Sequence, residues 1–152
     1  MDEELLQRQQ PQSLEAEQAV LGSILIDSRC ITDVVGVVKP EDFYLQQNRE
    51  IYETIYTMFN FSQTIDPVTV LDKLKELGYY HDNSRDYILQ LMEITPTAAN
   101  VVRYANIVRE KSMLRGLNQA ATDIHEMVYE EVGTPAEMLE TAEKKIFALR
   151  KG

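Results

Sequence analysis

The residues best suited to acid–base or metal chemistry in this 152-residue chain are its 2 histidines and 25 carboxylates. Histidine titrates near neutral pH and binds zinc through a ring nitrogen, so a proton-transfer or metal site is the first chemistry to consider. His81 lies in the polar stretch 80–83, whereas His125 lies far from it in a long helical pattern. No His-Glu-x-x-His motif occurs, and Cys30 is the only cysteine. The pattern therefore predicts a solvated loop histidine and a surface histidine, not a metal or catalytic pair.

Other catalytic patterns are also missing from the sequence. No glycine precedes a lysine, so the Gly-x-x-x-x-Gly-Lys-Ser/Thr loop that holds nucleotide phosphates is absent. No nucleophile elbow or glycine-rich oxyanion loop supports a Ser-His-Asp site. Carboxylates could pair for acid–base chemistry, but at this density they are typical of a solvated surface. We expect no catalytic residue, no metal and no cofactor here, and a carboxylate-only enzyme is the weakest alternative.

The charge is unevenly distributed along the chain. Residues 1–96 hold 7 Lys+Arg and 17 Asp+Glu, whereas residues 97–152 hold 8 of each sign. Nonspecific DNA binding depends on cations that replace counterions on phosphates, and neither half offers a cationic surplus. The aromatic residues are not interleaved with basic ones, as a stacking platform for bases would require. We expect weak or no direct DNA binding by these residues.

Composition predicts a globular protein in a reducing compartment. The chain is 44% hydrophobic and 26% charged, and no apolar run approaches the roughly 18 residues of a membrane span. Its first four residues are acidic where a secretory signal would be basic. Cys30 cannot form an internal disulfide and is expected to be a small, buried, unreactive side chain. Cytoplasm without membrane contact is the predicted location.

The first helix that the sequence predicts begins after Ser13, which can cap it, and carries Glu15 and Glu17 in its first turn. Apolar residues then recur at helical spacing along one broad face. Gly22 interrupts this face, where glycine costs about 1 kcal/mol relative to alanine. A glycine at this position predicts that another backbone passes close by.

The remaining elements before residue 96 also predict helices. Residues 31–38 are β-branched and could form a strand, but a cap at Asp27 or Ser28 favours helix. Residues 46–59 carry apolar side chains at helical intervals, and Asp66 caps a helix that ends at Gly78. Ser84 is predicted to cap a short helix that extends through residue 92.

The last third of the chain predicts two long helices joined by a tight turn. The stretch 97–131 contains no proline and only Gly116, which allows a helix of about 30 residues, some 45 Å long. Thr134 and Glu137 form a capping box that starts the final helix. Heptad-like apolar seams run along both helices, at Ile107, Leu114, Leu117, Ala121, Ile124 and Val128 and at Pro135, Leu139, Ala142, Ile146 and Leu149. The pattern indicates an antiparallel helical hairpin.

Two helices alone cannot bury both seams, so the hairpin is the predicted interaction site. Exposed apolar surface of this kind usually marks an interface. The alternative is that residues 1–96 fold back and cover it. The candidate interface residues are Leu114, Leu117, Ile124, Met127, Val128, Leu139, Ile146 and Phe147.

Four stretches of the chain resemble the N-terminal domain of DnaB-type replicative DNA helicases. They occur in the order of that family and are Pro11 to Asp27, Ile65-Asp66-Pro67-Val68-Thr69-Val70, Thr95-Pro96-Thr97-Ala98-Ala99-Asn100 and Tyr104-Ala105-Asn106-Ile107-Val108-Arg109-Glu110-Lys111. The resemblance implies an all-α fold, with a globular helical head at residues 1–96 and a protruding hairpin at residues 97–152.

The same resemblance implies a noncatalytic module of a bacterial replicative helicase, without the ATPase domain that would use ATP and Mg²⁺. Family domains form dimers, and three dimers build a collar on a hexameric motor that also receives the C-terminal domain of primase. A helicase loader is a further candidate partner, and the replication fork is the implied location. The alternative from another class is a free-standing helical adaptor that binds a partner helix without any motor.

Two positions depart from the family pattern. The resemblance implies a histidine and a phenylalanine where this chain has Asn48 and Tyr52. We expect the change to affect packing of the head or a surface contact, without affecting the fold.

Overall fold

Helices form every regular element of the computed structural model between residues 10 and 151, the part of the chain that the structure describes, and no strand occurs there. In chain order the elements are α1 (Leu14–Ile26), a 3-10 turn (Ser28–Cys30), α2 (Ile31–Val34), a second 3-10 turn (Pro40–Asp42), α3 (Gln46–Asn60), α4 (Pro67–Leu77), α5 (Ser84–Glu93), α6 (Val101–Tyr129) and α7 (Pro135–Lys151). The all-α prediction is therefore confirmed. The acidic start at residues 1–4 lies outside the described residues.

The chain divides into two compact units, which we call the head unit (Gln12–Glu110) and the hairpin unit (residues 10–11 and 111–151 of the described chain). The first turns of α6 belong to the head unit, where Val101, Ala105 and Val108 are buried in its core. The compact head unit therefore includes the start of the long helix α6. The family-based division between residues 96 and 97 stays a separate prediction.

Helix α1 begins and packs as its sequence predicts. The Ser13 hydroxyl oxygen accepts a hydrogen bond of 3.2 Å from the Ala16 backbone N–H. A Cβ at Gly22 would overlap the Leu91 carbonyl oxygen and the Thr95 side chain. The predicted close approach of another backbone is therefore confirmed, and that backbone is α5.

The short helices of the head unit confirm most of the predicted starts and stops. Residues 31–34 are helical, and the Asp27 carboxylate caps the 3-10 turn that precedes them. Asp66 caps α4, and Gly78 ends it with a left-handed φ of 79°. The predicted cap of α5 is wrong: Ser84 is the first helical residue, and its hydroxyl oxygen instead accepts a 2.8 Å hydrogen bond from the His81 N–H.

The head unit encloses one apolar core built from α1 to α5 and the start of α6. Its fully buried side chains include Val20, Leu21, Ile24, Val34, Phe43, Ile51, Tyr52, Ile55, Leu74, Ile88 and Leu91. Close packing of this kind makes each contact sensitive to the volume of single side chains. The head therefore has a buried apolar core of its own.

The hairpin unit joins α6 and α7 in an antiparallel pair. A Cβ at Gly116 would lie 2.6 Å from Leu149 Cδ2, and Asp123 Oδ2 lies 3.4 Å from Lys145 Nζ. Later residues of α6 thus face earlier residues of α7, which confirms the predicted hairpin. At the turn, Gly133 adopts a left-handed φ of 88°.

The predicted capping box starts α7. The Thr134 backbone N–H donates to Glu137 Oε1 at 3.1 Å, and the Glu137 N–H donates to Thr134 Oγ1 at 3.2 Å. The first of these bonds stabilises the Glu137 carboxylate, and hydrogen bonding to Thr134 holds the pKa of this carboxyl below its usual value. None of the helices described between residues 10 and 151 combines the length and apolarity of a bilayer span.

Candidate interaction surface

The contact between the two helices of the hairpin includes Gly116 against Leu149 and Asp123 against Lys145. Gly116 and Ala120 lie on the face of α6 that meets α7, and Ala120 is buried. Ala121, which the heptad pattern placed on the seam, is exposed. The structure thus differs from the heptad pattern at Ala121, whereas Ile124 of the same seam is half-buried.

Much of the predicted interface is exposed. Among its six exposed residues the exposed fraction runs from 39% for Ile146 to 66% for Leu139. Ile124 and Met127 are half-buried. The exposed members are Leu114, Leu117, Val128, Leu139, Ile146 and Phe147. Within the hairpin unit these apolar side chains are only partly covered.

Two shallow grooves connect most of these residues. The first, of about 250 Å³, is lined by Met113, Leu114, Leu117, Ile146, Leu149 and Arg150. The second, of about 440 Å³, is lined by Leu139, Ala142, Glu143, Ile146, Phe147 and Arg150. Because Ile146 and Arg150 line both grooves, the two form one continuous surface, which we call the hairpin groove.

The histidines take the places that the sequence predicts, with one addition. His125 is exposed on α6, and its ring lies 4.7 Å from the ring of Tyr129. His81 lies in the loop before α5, but it also pairs with α3, since its Nε2 lies 2.9 Å from Glu50 Oε1. No group of three His, Cys, Asp or Glu side chains among the described residues is arranged to hold a metal ion. Burial raises the pKa of the Cys30 thiol to about 11.

The head unit contains a buried polar cluster that the sequence patterns did not predict. The Glu17 carboxylate is fully enclosed and accepts hydrogen bonds from the backbone N–H groups of Tyr44 and Leu45, at 2.7 and 3.3 Å. Asn48 Nδ2 donates to the same carboxylate at 3.0 Å, and Asn48 Oδ1 accepts from the Tyr87 hydroxyl. Burial also raises the pKa of Tyr87.

The departure at Asn48 was the one sequence signal that pointed to this cluster. Tyr52, the second departure, is also fully buried; its hydroxyl donates to the Val38 carbonyl at 2.9 Å, and its ring stacks on Phe43. Both residues therefore act on packing of the head and not on its surface. Glu17 was predicted to interact with the helix dipole of α1, but its carboxylate reaches the start of α3.

Residues 9–110 match the family model described as the DnaB-like helicase N terminal domain. The chain belongs to this family. The replicative DNA helicase DnaB of Leifsonia xyli subsp. xyli is 35% identical over 144 residues, which cover 94% of this chain and 32% of the relative. DnaB of Geobacillus stearothermophilus is 36% identical over 152 residues, with 96% and 32% covered. The chain thus spans about a third of the length of these curated relatives.

Solved structures support the same assignment. The crystal structure of the N-terminal domain of DnaB helicase from Mycobacterium tuberculosis superposes with a TM-score of 0.86 at 35% identity, covering 92% of this chain and 99% of that one. A structure described as a DnaB-like replicative helicase and its interactions with primase gives a TM-score of 0.73 at 25% identity, covering 90% of this chain and 31% of that one. The matched domain is a noncatalytic part of DnaB replicative helicases.

Proposed function

We propose that this chain is the assembly and docking domain of a bacterial replicative helicase. In this proposal the hairpin groove of one copy binds that of a second copy, and three such pairs build toward a hexamer. The C-terminal domain of primase docks on the resulting collar, and a helicase loader is a further candidate partner. The location that follows is the bacterial cytoplasm, at the replication fork.

The observation that carries the proposal is the exposed apolar surface of the hairpin unit. Burial of apolar surface contributes about 25 cal/mol per Å² before the entropy cost of association. Leu117, Leu139 and Phe147 are 48%, 66% and 58% exposed, so a large part of their apolar surface does not yet contribute to this effect. A second copy with the same groove would bury all of them at once, as two-fold symmetric interfaces do.

Primase is proposed as a partner because this chain is similar to the helicase whose structure is described with its interactions with primase. Binding of ATP and Mg²⁺ is proposed only for the motor of the longer relatives, because the sequence of this chain has no phosphate-binding loop. The acidic surplus of residues 1–96 disfavours direct contact with DNA. The domain would thus organise the motor without touching nucleotide or nucleic acid.

The double variant Leu117→Asp/Ile146→Asp tests the proposal, because it places carboxylates in the hairpin groove. Light scattering over a tenfold concentration range should show loss of self-association by the variant, while circular dichroism shows that it remains helical. The matched control is Phe61→Asp/Val68→Asp, which changes side chains of the head unit that are 73% and 69% exposed.

A second measurement with the same proteins addresses docking of primase. Binding of the purified C-terminal domain of primase should fall for the groove variant, if the collar is the platform, and remain for the head control. Wild-type self-association and primase binding by the folded groove variant would contradict the proposal.

A further inference from the structure

Two opposite charges lie within the apolar stripe of α7. Residues 139, 143, 146 and 150 follow one another at steps of four, three and four, which places them on one face of a helix. On this face Glu143 and Arg150 flank Ile146, and both charged residues line the hairpin groove. On α7 the groove therefore carries a negative and a positive group about two turns apart, with Ile146 between them.

Neither charge is neutralised within the described part of the chain. The neighbouring charges of α7 are paired, since Lys144 lies 3.4 Å from Glu140 and Lys145 lies 3.4 Å from Asp123. Glu143 and Arg150 take part in no ion pair among residues 10–151. Seven residues separate them, which is about 10 Å along the helix and too far for a direct bond.

In a symmetric pair of chains, each of these charges can face the opposite charge of the second copy. When two identical helices pair antiparallel about a two-fold axis, the residue numbers that face each other have a constant sum. An axis that passes between Ile146 and Phe147 places Glu143 opposite Arg150 of the second copy, and Arg150 opposite Glu143 of the second copy. A parallel pairing would instead place like charges against each other.

We infer that the hairpin groove selects a second copy of this chain in antiparallel register, through two reciprocal ion pairs between Glu143 and Arg150. The inference rests on the proposed self-association and adds its orientation and centre. The apolar residues around the axis supply most of the affinity, whereas the charges select the register, as charges at interfaces commonly do. Glu143 and Arg150 are thus specificity-determining residues.

The test exchanges the charges one at a time in the full 152-residue chain. Glu143→Arg gives a copy with two positive groups at the groove, and Arg150→Glu gives a copy with two negative groups. Each variant alone should dimerise roughly tenfold more weakly than wild type, because both ion pairs become repulsive. An equimolar mixture of the two variants should regain near wild-type affinity as a heterodimer, because both pairs are then attractive.

Matched controls make the same charge changes on the same helix. Glu140→Arg and Lys144→Glu alter residues of an exposed ion pair that does not line the groove. These variants should dimerise like wild type, alone or mixed. Association is measured by analytical ultracentrifugation, with one variant carrying a fluorescent label so that heterodimers are counted directly.

The outcomes separate the two proposals. If the single variants weaken association and the mixture restores it, the antiparallel register is supported. If both variants associate like wild type while Leu117→Asp/Ile146→Asp does not, self-association through the groove stands and the register is wrong. A wild-type chain that stays monomeric overturns both, as does capture of primase by the groove in place of a second copy.

Discussion

The head unit and the hairpin unit use apolar side chains in opposite ways. In the head, α1 and α3 to α5 enclose fully buried residues such as Leu21, Ile55 and Leu91. In the hairpin, only Ala120 is buried among the described residues, and leucine and phenylalanine side chains face outward. The comparison teaches that the head has a core of its own, whereas the hairpin presents surface that a second molecule could complete.

One helical glycine in each unit illustrates the same difference between internal packing and exposed surface. A Cβ at Gly22 of the head would meet the Leu91 backbone carbonyl, which is fixed by helix α5. A Cβ at Gly116 of the hairpin would meet the end of the Leu149 side chain, which can rotate away. The first contact is rigid and internal, and the second lies at the edge of the hairpin groove.

The largest expected effect is that of Gly22→Ala. The new methyl group must displace α5, so we expect the free energy of unfolding to fall by about 3 kcal/mol, despite the better helix propensity of alanine. Chemical denaturation measures the change. The control is Gly36→Ala, where a Cβ would meet nothing within 4 Å, and which should change stability by less than about 0.5 kcal/mol. Equal effects of the two variants would show that the approach of α1 to α5 tolerates a side chain.

Alkaline pH should have an intermediate effect on the free energy of unfolding, and this effect should arise in the head unit. Burial raises the pKa of the Tyr52 phenol well above its ordinary value of 10.0, so the folded state holds this proton more tightly than the unfolded state. The stabilisation is fully present below pH 10 and is lost as pH rises towards the folded-state pKa. Stability should fall by up to about 1.4 kcal/mol per pH unit in that range.

The variant Tyr52→Phe separates this effect from others. It should cost about 1 kcal/mol at pH 7, because the Val38 carbonyl loses its hydrogen bond, and should flatten the decline above pH 10. Cys30 titrates in an overlapping range, since burial raises its pKa from 9.0 to about 11, so Cys30→Ala serves as the comparison. An unchanged alkaline slope in Tyr52→Phe would contradict the assignment.

The smallest effect on stability is expected from Gly116→Ala. Rotation of Leu149 relieves the overlap, and alanine favours helix by about 1 kcal/mol, so the net change in stability should stay below about 1 kcal/mol. Self-association should weaken severalfold all the same, because the displaced Leu149 side chain enters the hairpin groove. Sedimentation measures association and thermal melting measures stability. A large loss of stability with unchanged association would reverse the proposed difference between the two glycines.

Much of the fold could be predicted because its signals are local. Ser13, Asp66 and the Thr134–Glu137 pair each fix a helix start through bonds within one turn, and Gly78 ends a helix through its own φ. Such bonds depend on nearby residues alone, so a sequence pattern can predict them. The close approach of another backbone at Gly22 was also predictable. Glycine destabilises the interior of a helix, so it is expected there where a larger side chain would clash with a neighbour.

The remaining features depend on residues distant in sequence. The carboxylate of Glu17 bonds to backbone groups more than twenty residues away, and no spacing rule indicates that partner. The heptad pattern predicted an apolar seam on α6, but not that Ala121 of that seam would be exposed while Ala120 is buried. Hydrophobic periodicity predicts which residues share a face, but not which face a neighbouring helix will cover.

The bond between α1 and the start of α3 has a consequence for how the head forms. The Leu45 N–H flanks the beginning of α3, and it bonds to a carboxylate that α1 supplies. Neither partner can leave water at low cost without the other, because a lone buried charge and an unmet amide are both unfavourable. We therefore expect the first and third helices to dock together, and a polypeptide that lacks either one to lose the stability of the head.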